Sequence, residues 1–299
     1  MNKIERILAA TRHEWVDRVP KGEFYLEDGF VTKLLGLKEK IEFKDRVEAC
    51  EFCGLDALAF SPSLQNDKAL VWNGFKQWRK ETDFFIFAII DGPFQGTAKL
   101  FPSFAEYMVA IAKRDPIIPE LAAKVRADNV QLGLMALDLG ANGIIIADDI
   151  AYQRGTFISP VQLREFFFPS LREQVGSLQT HKSPVFFHAD GNIIPVLTEI
   201  ISSGVDGIHS LDFPSLADIT KIKKAAGKSL CLMGGYDLGW FSEDNRMEKA
   251  LELTTVASSG GGYIFGSSAG ILGSDLLAEQ VGSVYQFVSN LRNPLTEII

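Results

Sequence analysis

The chain has 299 residues, a net charge of −8 at pH 7 and an isoelectric point near 5.2, so no basic surface is implied that could neutralise phosphates, and nucleic acid is excluded as the expected partner. With 46% hydrophobic and 23% charged residues it reads as globular, which excludes a disordered chain. Three cysteines, an odd number in a long sequence, argue against a disulfide framework.

The opening MNKIERILAATRHEW is polar and lacks the apolar core of a secretory signal. No later run approaches the roughly 18 apolar residues of a membrane span, so a cytoplasmic protein is expected. Strand-length apolar runs follow at 19–27, 55–61, 84–91, 142–149, 184–190, 205–212, 229–235 and 262–268. Cys50 and Cys53 form a CxxC at what reads as a helix end, with no second pair nearby, and are expected to be buried helix cysteines. The Trp-rich stretch 69–83 interrupts the alternation and predicts a short hairpin lying over the body of the fold.

Between the strands run helix-period segments such as IIPELAAKVRADNVQLGLMALDLG and LADITKIKKAAG, several with Ser or Asp near the start and Gly at the end. Helix, glycine, strand recurs at Gly140, Gly204, Gly227 and Gly260 to Gly262. Eight such units in this length predict an α/β fold, a single (β/α)8 TIM barrel occupying 1–299 as one domain.

Barrel enzymes place their chemistry at the C-terminal strand ends, and here those ends are polar. They carry Glu27 and Asp28, Ser61, Asp91, Asp148 and Asp149, His188 and Asp190, His209 and Asp212, Tyr236 and Asp237, and Ser267 and Ser268. Asp91, Asp212 and Asp237 read equally well as caps of the helices that follow. Asp148 and Asp149 point different ways, so one of the pair is expected to face the barrel mouth as a catalytic group. Two of the four histidines, His188 and His209, end neighbouring strands with Asp190 beside them, which predicts a site that binds zinc, transfers a proton or positions a substrate. His13 and His181 are expected at the surface. Of the 22 phenylalanines most belong to the core, while Phe94 and Phe30, just past strands, are candidates to wall an apolar or aromatic ligand pocket. Tyr152 and Arg154, after the paired acids, could orient a substrate by hydrogen bonding or charge.

The segments FHADGNIIPVLTEIISSGVDGIHSLD, IKKAAGKSLCLMGGYD and DDIAYQRGTFISPVQLREFFFPSLREQV resemble the uroporphyrinogen decarboxylase superfamily, from DRVP near residue 17 to GGGYIFGSSAGI. The resemblance implies a (β/α)8 barrel with its site at the C-terminal rim. The marks of the true decarboxylase are absent: HEWVDRVPKGEFYLED stands where RQAGRY is expected, Pro62 replaces the acid of FSD, and SSAG replaces GHG. A substrate bearing many carboxylates would also want a cationic mouth, and this rim is acidic.

The other branch of the superfamily contains cobamide-dependent methyltransferases. In its coenzyme M enzymes a His-x-Cys on the fifth strand and a Cys in the last βα loop hold zinc to activate a thiol. Here His188 matches the His, Asp190 stands for the first Cys, and Ser267, Ser268 and Ala269 occupy the second Cys loop. The resemblance therefore implies a corrinoid-dependent methyltransferase of the O-demethylase type with a harder zinc site of His188, Asp190 and His209, acting on a small methylated, methoxyaromatic compound. It also implies a separate corrinoid protein as partner. His188, Asp149 and Asp148 are the catalytic candidates; Tyr152, Arg154, Glu27, Phe94, Tyr236, Ser267 and Ser268 are those for substrate. A lyase close to uroporphyrinogen decarboxylase is the alternative, and the oligomeric state, a homodimer included, is left open.

Overall fold

The computed structural model describes residues 1–38, 40–65, 69–212 and 215–291. Seven parallel strands form one curled sheet in the order Tyr263–Ser267, Cys231–Tyr236, Gly207–Ser210, Val185–His188, Gly143–Ala147, Phe85–Asp91 and Ala57–Phe60. Residues 20–24 close it. Lys21 bridges Phe265 and Gly22 bridges Ala57, both parallel, with the Gly22 N–H donating to Phe265 O at 2.9 Å and the Ala59 N–H donating to Phe24 O at 3.0 Å. The result is a closed (β/α)8 barrel, as the repeated strand and helix periods predict.

Alternation along the strands separates two apolar cores. Phe85, Phe87, Ile145, Phe186, Cys231, Met233 and Ile264 point inward and fill the cylinder, while Ile86, Ile144, Ile146, Phe187, Ile208 and Leu232 point outward against the helices. An N-terminal helix, Lys3–Thr11, was not anticipated. Asn2 caps it through a capping box with Glu5, and its Ile7, Ala9 and Ala10 pack into the inner core, so it covers the N-terminal end of the barrel.

The segment at 69–83 differs from the expected hairpin. Ala69–Val71 pairs antiparallel with Ser63–Gln65, upstream of the Trp-rich run, and Lys76–Glu81 is a short helix whose Trp78 is buried. The two tryptophans anchor it: the Trp72 indole N–H donates to Leu132 O at 3.0 Å. Cys50 and Cys53 are buried and free, and burial pushes the Cys53 thiol up to about 12, as suits inert helix cysteines. His13, expected at the surface, is partly covered, its ring packed under Gly262. No helix among the described residues is long and apolar enough to cross a membrane.

Candidate active site

At the C-terminal mouth lies a cavity of about 920 Å³. Its walls are Phe24, Leu26, Leu58, Phe60, Trp78 and Ile89; its polar lining includes Glu27, Asp91, Gln95, Asp149 and His188. Two cations reach it, each already matched. Arg46 makes a two-pronged pair with Asp28 at 3.0 and 2.8 Å, and Lys99 contacts both oxygens of Asp91 at 2.7 Å. Neither cation was singled out from the sequence, because Arg46 lies on a helix and Lys99 at the end of one, where a basic residue reads as solvated surface.

Strand register builds the floor of the site. His188 is two residues past the inward Phe186, so it also faces in, and it pairs directly with His209 on the adjacent strand. The two Nδ1 atoms are 2.9 Å apart. Phe24 covers both rings, its centroid 4.4 Å from that of His209 and 5.4 Å from that of His188. Gly270, at φ +72°, lets the last loop close over them, since a Cβ there would lie 3.0 Å from His209 Cε1. Burial lowers the pKa of both imidazoles; for His188 the charges of Asp190 and Asp149 oppose it, and for His209 the neighbouring His188 adds to it. Both shifts favour the neutral imidazole.

The far nitrogen of His188 faces the acids. Nε2 is 3.9 Å from Asp149 Oδ1, and that oxygen also accepts the Asp190 N–H at 3.1 Å. One ligand atom from each of Asp149, His188 and Asp190 falls within 4.8 Å of the others, a spacing that could hold a metal ion. His209, expected as a ligand with them, is corrected to a partner behind His188: it is 1% exposed, turns Nδ1 toward His188, and its Nε2 is buried without a hydrogen-bond partner. Asp149 takes its place in the cluster.

Other candidates fall elsewhere. Asp148, the first of the paired acids, lies beneath the rim, 2% exposed, accepting the N–H groups of Phe94 and Gln95 at 3.3 and 2.7 Å. It thus caps the helix Pro93–Ala98, and Gly92 permits the approach, because a Cβ there would meet Asp148 Cγ at 2.3 Å. Phe94 is packed among Phe104, Tyr107, Phe157 and Phe167 and does not line the cavity; Phe30 is core. Tyr236 is buried with its hydroxyl on Arg246 O, Ser267 donates its hydroxyl to the buried Glu23, and the Ser268 N–H donates to Tyr236 O. Tyr152 and Arg154 are exposed on the hairpin of Ala151–Tyr152 and Gly155–Thr156, outside the cavity lining. Asp237 caps the short helix Leu238–Ser242 through the Gly239 N–H, whereas Asp91 is the partner of Lys99. Glu27 does line the cavity, holding the Ser274 N–H at 2.8 Å.

Burial outweighs the two backbone hydrogen bonds at Asp148 and raises its pKa to about 7. A folded-state pKa above the unfolded one gives stability that is complete below the unfolded value of 3.8 and is lost as pH rises through about 7. Asp148→Asn cannot ionise, so between about pH 4 and pH 7 it is expected to lose less stability than the native protein. Parallel pH profiles of the two in thermal denaturation would show that Asp148 does not titrate there.

A closed (β/α)8 barrel with an acid–imidazole cluster at the C-terminal mouth is the architecture of a barrel enzyme's site. The chain belongs to the uroporphyrinogen decarboxylase (URO-D) family, whose model matches residues 67–288. Among solved structures, a methyltransferase from Methanosarcina mazei aligns with a TM-score of 0.73 at 17% identity, over 96% of this chain and 98% of that one. A family 2 AP endonuclease from Brucella melitensis gives 0.50 at 14% identity, over 91% and 99%. The GH18 chitinase ChiB from Flavobacterium johnsoniae gives 0.50 at 14%, over 90% and 94%. At these identities the likeness is one of fold. No curated protein matches the sequence.

Proposed function

We propose that the protein is a corrinoid-dependent methyltransferase of the O-demethylase type, moving a methyl group from a small methoxyaromatic compound to a corrinoid carried by a separate protein. The observation that carries the reading is His188 Nε2, presented beside Asp149 on the floor of an apolar-walled cavity of about 920 Å³. An aromatic ether fits against Phe24, Phe60 and Trp78, with its oxygen over the imidazole. The M. mazei methyltransferase named above supports this branch of the family. The decarboxylase branch is disfavoured by Pro62 at the end of the early strand and by cavity cations already paired to Asp28 and Asp91.

The chain's task in such a transfer is to make the phenolate a better leaving group. His188 does so by donating its Nε2–H in a hydrogen bond to the ether oxygen, a bond that strengthens as the carbon–oxygen bond breaks and the bonding pair stays on oxygen; the phenolate then takes its proton from water. Asp149, against His188, favours the tautomer with its proton on Nε2 and holds the ring toward the cavity. The corrinoid supplies the cobalt nucleophile that takes the methyl. Asp149, His188 and Asp190 also offer the oxygen and nitrogen donors that suit zinc, which would act as a Lewis acid on the same oxygen.

The test is anaerobic incubation with a reduced corrinoid protein and a panel of methoxybenzenes, following the methylcorrinoid spectrum and the released phenol. Stoichiometric phenol is the expected result. Carbon dioxide from uroporphyrinogen III, with no phenol from any ether, would replace this reading with the lyase. Zinc added to the protein is expected to bind at about one ion per chain and to be lost in Asp190→Ala, as read by calorimetry.

A further inference from the structure

We propose that His209 is a positioning residue that sets the tautomer of His188, so that the metal-free protein presents an Nε2–H donor to the cavity. The inference deepens the proposed function and rests on it only in assigning the group that meets His188. Its observations are geometric. The two Nδ1 atoms are 2.9 Å apart, both rings are buried, and His209 Nε2 is enclosed with no partner.

Two ring nitrogens 2.9 Å apart leave room for one proton between them, and it belongs to one ring or the other. If His188 holds it, His209 carries its own proton on Nε2, where it is a buried donor with no acceptor, and His188 turns a bare lone pair toward Asp149. If His209 holds it, His188 carries its proton on Nε2, 3.9 Å from Asp149 Oδ1, and the unpartnered atom of His209 is only a lone pair. An acceptorless buried N–H is the costlier defect, and a lone pair facing a carboxylate adds repulsion. The second arrangement wins on both counts.

A consequence follows for metal binding. A cation on His188 Nε2 must displace that proton, and the Nδ1 side then has two choices. Either the pair adopts the reverse tautomers, with one proton leaving His188 and another taken up at the enclosed His209 Nε2, or His188 gives up its ring proton without replacement. Both oppose the ion. The His209 side chain therefore favours the use of His188 as a hydrogen-bond donor to an oxygen and weakens zinc at the same place. Asparagine at 209 would remove this bias, because its amide can turn an oxygen toward a His188 Nδ1–H.

The sequence makes the test tractable, with only four histidines. Chelator-treated protein labelled with ¹⁵N-histidine is observed at neutral pH by long-range proton–nitrogen correlation, which separates protonated from bare ring nitrogens. Protons on His188 Nε2 and His209 Nδ1 are expected; a proton on His188 Nδ1 overturns the proposal. In the second measurement, zinc chloride is titrated into native protein and His209→Asn by calorimetry. The variant is expected to bind about tenfold tighter. Equal or weaker binding overturns the proposal, and should the variant not fold, the spectrum of the native protein decides alone. Neither readout uses turnover, so a chain that transfers no methyl group can still meet both, and an active one can fail both.

Discussion

His188→Ala is expected to lower methyl transfer by about 10²–10³-fold, the usual contribution of one hydrogen-bond donor to a developing oxyanion, while the barrel stays folded. The side chain occupies an inward position from which its imidazole meets both the cavity and Asp149. The fold tolerates the loss because His188 ends its strand, and the packed layer of Phe87, Ile145 and Phe186 lies one step below. His188→Gln keeps a donor of similar reach and is expected to retain part of the rate. Phenol release by His188→Ala at the native rate, measured with saturating corrinoid protein, would remove the imidazole from the reaction.

Much of this arrangement was legible because barrel strands announce themselves. IIIA, VFFH and YIFG are buried on both faces and read as continuous apolar runs, so all eight staves, and the polar residues that end them, could be placed from periodicity. Orientation at the rim was less legible. Asp148 and Asp149 are neighbours in sequence, and which one turns down is decided by Gly92, more than fifty positions away, which leaves room for one carboxylate above the helix Pro93–Ala98. His209 looked like a ligand because it ends a strand next to that of His188. In fact the direct register of the pair puts the two rings edge to edge, which leaves His209 facing its neighbour instead of the cavity. Ser267 could not be recognised as structural, since its partner Glu23 lies at the other end of the chain and becomes adjacent only when residues 20–24 close the cylinder.

That closure supports the other large expectation. Asp56→Ala should destabilise the protein by about 3–5 kcal/mol, the range for removing one partner of a buried ionic cluster. Asp56 is fully buried and accepts from Arg6 Nη1 at 2.6 Å, from Arg18 Nη1 and Nη2 at 2.8 Å each, and from the Lys21 backbone N–H at 3.0 Å. These donors come from the helix Lys3–Thr11, from the segment that follows it and from the closing stave, so a single carboxylate ties the N-terminal cover and the seam to the Ala57–Phe60 strand. Alanine would leave the 5%-exposed Arg6 with only part of its charge matched, through Asp17, and would leave the Lys21 N–H without its acceptor. Asp17 holds the outer half of the same lock: the Arg6 guanidinium keeps its carboxyl well below the usual range. Its contribution is therefore complete above the unfolded pKa and fades only as pH falls through the folded one. Because the cluster lies at the N-terminal end of the barrel and His188 at the C-terminal mouth, folded Asp56→Ala should bind and turn over substrate like the native enzyme. Urea denaturation gives the stability. A change under about 1 kcal/mol would mean that the seam is held by its strand hydrogen bonds alone, with the arginines re-paired at the surface.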